Sequence, residues 1–485
     1  MTKLLVFTFL GLVLVSQNAS AVRPPSNKIA LTDCQIPQAG AAKCGAYQVY
    51  ENRATKKGRM INMNIVVFPA TGDKREPDPI FYFAGGPGSA ATEDAIGIAL
   101  EFKQLREHRD LVFVDQRGTG GSHPLNCEFY NPDDLQSYLG YFFPLEDIRK
   151  CRTQLEPKAD LKLYTTSIAM DDIDEVRAAL GYEKINLFGG SYGTRAALTY
   201  LKRHPQQVRT ATLQGVAPTD QFMPGDFAVQ NERALQGVLA ECFADEACNK
   251  AFPKLKEEVK AVLARLMKGP VEVEIEKPKT KKRVKVRLNR DLAAEAIRYM
   301  LYHPVPAGRI PLIIHLAAEN NFRPLAEAAF SYRLNLVGTG SNGMYLTVTC
   351  AEDLPGINLP EAERSAANTF LGDYRLRQQR EACALWPRAN VEADYTRPLR
   401  SEVPVLILTG EWDPVTPPMH GDRVAKTLQN SLHIVVPHGA HGLGGLENID
   451  CIQRIRAEFM ERGTTKGIDT GCVKSIRRKG FVLSL

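Results

Sequence analysis

Beyond residue 21 this sequence has no apolar run long enough to cross a bilayer, which takes about 20 consecutive residues. It has no C-x-x-C and no Cys/His cluster at zinc-ligand spacing, so neither a metal nor a cofactor is expected. It also lacks a strong charge of one sign. Sixty-one Lys and Arg against 55 Asp and Glu leave +6 on 485 residues, enough for solubility but no footing for nucleic acid or a membrane surface. The one basic stretch, Lys277 to Lys285, faces the acidic Glu272, Glu274 and Glu276. What remains is the composition of an ordinary folded protein, 44% hydrophobic and 24% charged, on a chain too long for one compact core.

The N-terminus reads as a signal peptide over residues 1–21. Lys3 is followed by the uncharged run Leu4 to Val15 and by the small-x-small site Ala19-Ser20-Ala21. No Cys follows closely, which argues against a lipid anchor, and no stable membrane insertion is expected after cleavage. Ten cysteines, an even number, suit disulfides in an exported protein, periplasmic or extracellular.

Along the mature chain, Ser26 to Arg59 looks irregular. Met60 to Pro69 alternates like a strand. Then short apolar runs recur: Pro79 to Ala84, Leu111 to Val114, Ile185 to Phe188, Thr210 to Leu213, Val403 to Leu408 and Leu432 to Val436. Runs that do not alternate suit strands buried on both faces of a parallel sheet. Helical stretches between them, such as Asp171 to Leu180 and Arg195 to Arg203, give a doubly wound α/β pattern. The rhythm breaks over 222–397, which is mostly helical and holds two alternating runs, Val271 to Glu276 and Arg283 to Leu288, readable as a hairpin. The expected organisation is a core over 22–221 and 398–485, interrupted by a helical cap at 222–397.

The chemistry centres on Gly189-Gly190-Ser191-Tyr192-Gly193, between a strand and a helix. G-x-S-x-G in that setting is the nucleophile elbow of the α/β-hydrolase fold, which lifts a serine hydroxyl above the sheet. The serine needs a histidine base and an orienting carboxylate, in the chain order Ser, acid, His. Asp413, just past the strand Val403 to Leu408, is the candidate acid, with Glu411 the alternative. His441, between small residues after the next strand, is the candidate base, with His438 its competitor. The turn Gly85-Gly86-Pro87-Gly88 and the helix start suggest an oxyanion hole made by the Gly86 and Tyr192 N–H groups.

These segments, with Asp115-Gln116-Arg117-Gly118-Thr119-Gly120-Gly121-Ser122, Gly215-Val216-Ala217-Pro218, Gly410 to Pro417 and Gly439 to Gly442, resemble the proline-iminopeptidase and tripeptidyl-aminopeptidase family of serine exopeptidases. The resemblance runs from about Ala46 to Cys472, and the cysteine-containing C-terminal part is similar to the secreted tripeptidyl-aminopeptidase branch. It implies an aminopeptidase acting on a peptide substrate, with Ser191, Asp413 and His441 as triad. A secreted carboxylic ester hydrolase with the same triad is the rival reading. Ala84 departs from the His that usually precedes Gly-Gly-Pro-Gly in proline iminopeptidases, which weakens transfer of proline specificity. Asp115 and Arg117 are expected to buttress their loop. Short separations and the family-like C-terminal part suggest pairing neighbours: Cys34–Cys44, Cys127–Cys151, Cys242–Cys248, Cys350–Cys383 and Cys451–Cys472. An exopeptidase must also meet a free α-ammonium, and Glu352 and Asp353, adjacent acids beside Cys350, are the candidates. Oligomeric state and the length of peptide removed are not legible.

Overall fold

A computed structural model describes residues 29–131, 133–277, 281–336 and 340–485, with the side chains of 335 and 336 also left out. The expected signal peptide and part of the turn between the two cap strands lie outside the described residues. The strands are β1 Thr32–Ile36, β2 Gly40–Tyr50, β3 Met60–Phe68, β4 Ile80–Phe83, β5 Leu111–Val114, β6 Ile185–Gly190, β7 Val208–Gln214, β8 Val271–Glu276, β9 Arg283–Leu288, β10 Val405–Gly410 and β11 Ser431–Val436.

Nine of them form one sheet in the order β1-β2-β3-β5-β4-β6-β7-β10-β11. All pairs from β5 to β11 are parallel. The continuous apolar runs are buried as their composition requires: Leu111 to Val114 and Val405 to Gly410 have no exposed residue. Apolar clusters cover both faces. One includes Val112, Leu187 and Ile407, the other Phe113, Phe188 and Leu406.

The N-terminal stretch departs from expectation. The segment read as irregular holds β1 and β2, a hairpin that pairs antiparallel with β3 and extends the sheet. Exposed residues recur along both strands, β1 is short and mostly polar, and the first part of β2 is Gly, Ala and Lys around Cys44, so neither apolar alternation nor β-propensity marks the hairpin.

Between β7 and β10 stand the helices Phe227–Ala244, Leu255–Met267, Arg290–Met300 and Arg323–Leu336 and the hairpin β8–β9. In that hairpin Glu272 faces Arg287 and Glu274 faces Lys285. These elements share an apolar cluster of their own, including Leu235, Val262, Ile297 and Leu325. The block 222–397 is nevertheless not packed as one body. Met344, Leu346, Val348, Cys350, Ala382 and Trp386 join the cluster on the sheet, so the chain returns to the core well before residue 397. The reason is local: the helix Asn342–Val348 is almost wholly buried.

The five expected cysteine pairs are the five formed, and no cysteine is free among the described residues. No helix of the described residues is long and apolar enough to cross a membrane.

Candidate active site

Ser191 sits between β6 and the helix Tyr192–Arg203 with φ 56° and ψ −126°, a left-handed conformation that costs a non-glycine residue energy. Glycine makes the turn possible. A β-carbon on Gly189 would strike the Gly193 carbonyl, and one on Gly193 would strike the Phe83 carbonyl of β4. The chain therefore turns tightly between strand and helix and leaves Ser191 half-buried on the wall of a cavity of about 220 Å³. Gly86, with φ +110°, lines the same cavity. Tyr192 is the first residue of its helix, so its N–H has no partner within the helix.

Asp413 follows β10 and is completely buried. Its Oδ1 accepts the N–H groups of Val415 and Thr416, both at 2.8 Å, the self-closing turn that an Asp favours. Its Oδ2 accepts Thr416 Oγ1 at 2.7 Å and lies 2.9 Å from His441 Nδ1. Burial alone would raise this carboxyl. The charge and hydrogen bond of His441, with the two N–H groups, outweigh burial and hold it below the usual aspartate range. Small residues bring the loops together: a β-carbon on Gly410 would strike the Ala440 carbonyl, and one on Gly215 would press on His441 and Thr416. The inserted layer touches both loops. The Tyr302 ring stands edge-on to His441 at 5.2 Å, and Arg233 donates to the carbonyls of Glu411 and Asp413 at 2.9 Å.

The competing acid and base go elsewhere. Glu411 accepts the His438 N–H at 2.9 Å, and His438 Nδ1 lies 2.7 Å from Glu241. Glu241 also accepts from Trp412 and Arg478, both at 2.6 Å, so this acid and imidazole tie the helix Phe227–Ala244 to the core.

The residues expected to meet a substrate ammonium are not in the cavity, which corrects that reading. Glu352 accepts the Thr166 N–H at 2.6 Å, Thr166 Oγ1 at 2.7 Å and the Tyr395 hydroxyl at 2.6 Å. Asp353 binds Arg195 at 2.7 Å and the Met223 N–H at 3.2 Å. Arg195 belongs to the helix behind Ser191, so Asp353 braces that helix from the interior, while Glu352 ties the start of the helix Thr166–Leu180 to Tyr395. Asp115 and Arg117 also serve structure. Asp115 gathers the Thr92 and Gly121 N–H groups and Asn64 at 2.9 Å. Arg117, fully buried, binds Asp172 and three backbone carbonyls.

Sequence reading missed part of the cavity lining, Arg298, Arg375, Tyr302 and Tyr332. The signal for Arg298 was its helix: it shares a run with Leu292, Ala293, Ala296 and Ile297, all buried, and lies three residues from Glu295.

Comparison with known proteins points to the same fold. Residues 78–302 match the family model described as alpha/beta hydrolase fold, and residues 368–472 the one described as TAP-like protein. Serine protease Hip1 of Mycobacterium tuberculosis is 25% identical, covering 90% of this chain and 88% of its own. Tripeptidyl aminopeptidase of Streptomyces lividans is 24% identical, covering 89% and 83%. Proline iminopeptidase of Neisseria gonorrhoeae is 30% identical over a shorter stretch, 28% of this chain and 32% of its own. The chain is a hydrolase of the α/β-hydrolase fold, similar to the serine protease and aminopeptidases named above.

Proposed function

We propose that this protein is an exported serine aminopeptidase that releases short peptides or single residues through an acyl-enzyme. The observation that carries the reading is the hydrogen bond between Asp413 and His441 beside a serine strained onto a cavity wall. Ser191 Oγ attacks the scissile carbonyl carbon while His441 Nε2 takes its proton. Asp413 fixes the tautomer with Nδ1–H and stabilises the imidazolium. The Gly86 and Tyr192 N–H groups receive the oxyanion, helped by the positive end of the helix. The C–N bond then breaks as His441 protonates the leaving amine. Water, activated by the same histidine, releases the acyl group and restores Ser191. These steps involve no cofactor.

The exopeptidase part rests on the relatives that match most of the chain. It also needs carboxylates for the α-ammonium, since an unpaired buried charge is costly. A cleft of about 780 Å³ that shares Tyr130, Gly340 and Asn342 with the catalytic cavity offers Glu93, Glu128 and Asp147 against a single Lys150. Export is compatible with the five disulfides.

The test is a panel of aminoacyl, dipeptidyl and tripeptidyl chromogenic amides with free and acetylated N-termini, beside matching acyl esters. Preferential cleavage of free-N-terminus amides is expected. Cleavage of acetylated esters with all amides left intact would instead assign a carboxylic ester hydrolase using the same residues.

A further inference from the structure

Two arginines, Arg298 and Arg375, line the cavity that holds Ser191, and a third, Arg333, is buried close by beside Tyr130, so positive charge is in excess there. Arg298, Arg333 and Arg375, on three different helices, are 3%, 1% and 5% exposed. One buried carboxylate, Glu295, lies among them, and it is already occupied by Arg298 at 3.0 Å and by the Tyr374 hydroxyl. Arg333 finds the Tyr130 hydroxyl at 2.8 Å. Arg375 fares worst: no protein acceptor reaches its buried Nε or Nη1, and the Arg298 Nε is equally unpartnered. Arg298 and Arg375 both line the cavity beside Ser191, and no Asp or Glu does among the described residues. Residues 1–28, 132, 278–280 and 335–339 contain no Asp or Glu in the sequence, so they add no missing counter-charge.

Glu295 and the Tyr302 hydroxyl take the two terminal nitrogens of Arg298, and aromatic rings supply further compensation. The Arg375 guanidinium lies 3.7 Å from the centre of the Phe142 ring, and Arg298 lies 5.0 Å from the rings of Phe227 and Tyr302. A ring beneath a guanidinium holds its plane, but leaves the N–H fork to find acceptors elsewhere. A guanidinium does not relieve its charge by losing a proton. A carboxylate matches that fork in shape and charge, whereas a neutral amide offers one acceptor oxygen and no charge. The cavity, about 220 Å³, is below the usual range for a drug-sized ligand and suits one side chain or chain end.

We infer that Arg375 and Arg298 form a carboxylate-binding subsite beside the scissile bond, so that the preferred substrate carries an anionic group there. The carboxylate belongs to an acidic side chain of the substrate or to the α-carboxylate of a short peptide. The inference rests on the reading of Ser191 as nucleophile, but not on the choice between amide and ester substrates.

The test uses the full-length mature protein and matched tripeptidyl anilides and esters, with Glu or Gln as the residue that supplies the scissile carbonyl. A second pair is a neutral tetrapeptide as free acid and as C-terminal amide. Wild type is expected to favour the acidic partner of one pair by about 30-fold in kcat/KM, the scale of a charged hydrogen-bonded contact. The first pair responding assigns a side chain, and the second a chain end. Arg375→Gln should bring that preference within about threefold by slowing only the acidic substrate. Arg375→Lys should keep part of it. With Ser191→Ala, N-acetylglutamate should bind more tightly than N-acetylglutamine in calorimetry if the side-chain arm holds, and N-acetylalanine more tightly than its amide if the chain-end arm holds. Arg375 keeps the Phe142 ring as a partner while its Nε and Nη1 have no protein acceptor, so Arg375→Gln should leave the unfolding temperature close to that of wild type. No preference in either pair, or equal losses on charged and neutral substrates, would overturn the subsite. Charge preference on esters with no cleavage of any amide would overturn the peptidase reading and leave the subsite standing.

Discussion

Two acidic corners flank the nucleophile elbow: Asp413 after β10, and Glu352–Asp353 after the helix Asn342–Val348. All three carboxylates are buried, at 0%, 4% and 0% exposure, so burial does not tell them apart. Their partners do. Asp413 is held by its own turn and by His441, which stays partly open to solvent. Glu352 is held by Thr166 and Tyr395, and Asp353 by Arg195, all of them interior. The net fields differ in sign as well. Asp413 is stabilised as the anion, whereas burial pushes the Glu352 carboxyl up despite its hydrogen bonds. Of these partners His441 can still be touched from outside, as the proposed role of Asp413 requires.

Substitutions can break or sharpen this contrast. The largest effects belong to the groups that Asp413 serves: Ser191→Ala or His441→Ala should each lower kcat by about 10⁶-fold, and the double variant little further, in single-turnover assays. Asp413→Asn should cost on the order of 10⁴-fold, mostly in kcat, through the wrong imidazole tautomer. Across the elbow, Asp353→Asn should act on folding. Loss of a buried ion-pair partner costs about 3–5 kcal/mol in denaturant unfolding, with kcat/KM per folded molecule nearly unchanged. A comparable loss of turnover there would erase the distinction.

The pH dependence of stability should separate the corners more gently. The raised Glu352 value gives stability that is present below the ordinary glutamate value and lost as pH rises through the folded one. Glu352→Gln should remove that decline from a series of melting temperatures. The lowered Asp413 value gives stability present above the ordinary aspartate value and lost as pH falls through the folded one, a decline that Asp413→Asn should remove. An unchanged profile in either variant would contradict the assigned direction. The smallest effect is expected for Glu411→Gln, less than about threefold in kcat/KM, because Glu411 serves His438 and the inserted layer.

Much of this was legible in the sequence because local chemistry dictated it. Leu111 to Val114 could only be a strand buried on both faces, and Gly189 and Gly193 could flank Ser191 only in a tight elbow. What failed was whatever depended on distant partners. Cys350-Ala351-Glu352-Asp353 does not announce Arg195, 158 positions away, which claims Asp353 for the interior. The hairpin β1–β2 owes its place to pairing with β3, and its own Gly, Ala and Lys residues carry no strand signal. Arg298 and Arg375 stand on separate helices and converge only in the folded chain.

The cysteines pair strictly with their neighbours in the sequence, first with second through ninth with tenth. That pattern has a consequence for biosynthesis. In a chain threaded N-terminus first into an oxidising compartment, each cysteine meets its correct partner before the next cysteine emerges. An oxidase that joins cysteines in order of arrival would make the native set directly. Maturation should therefore need an oxidant but no disulfide shuffling.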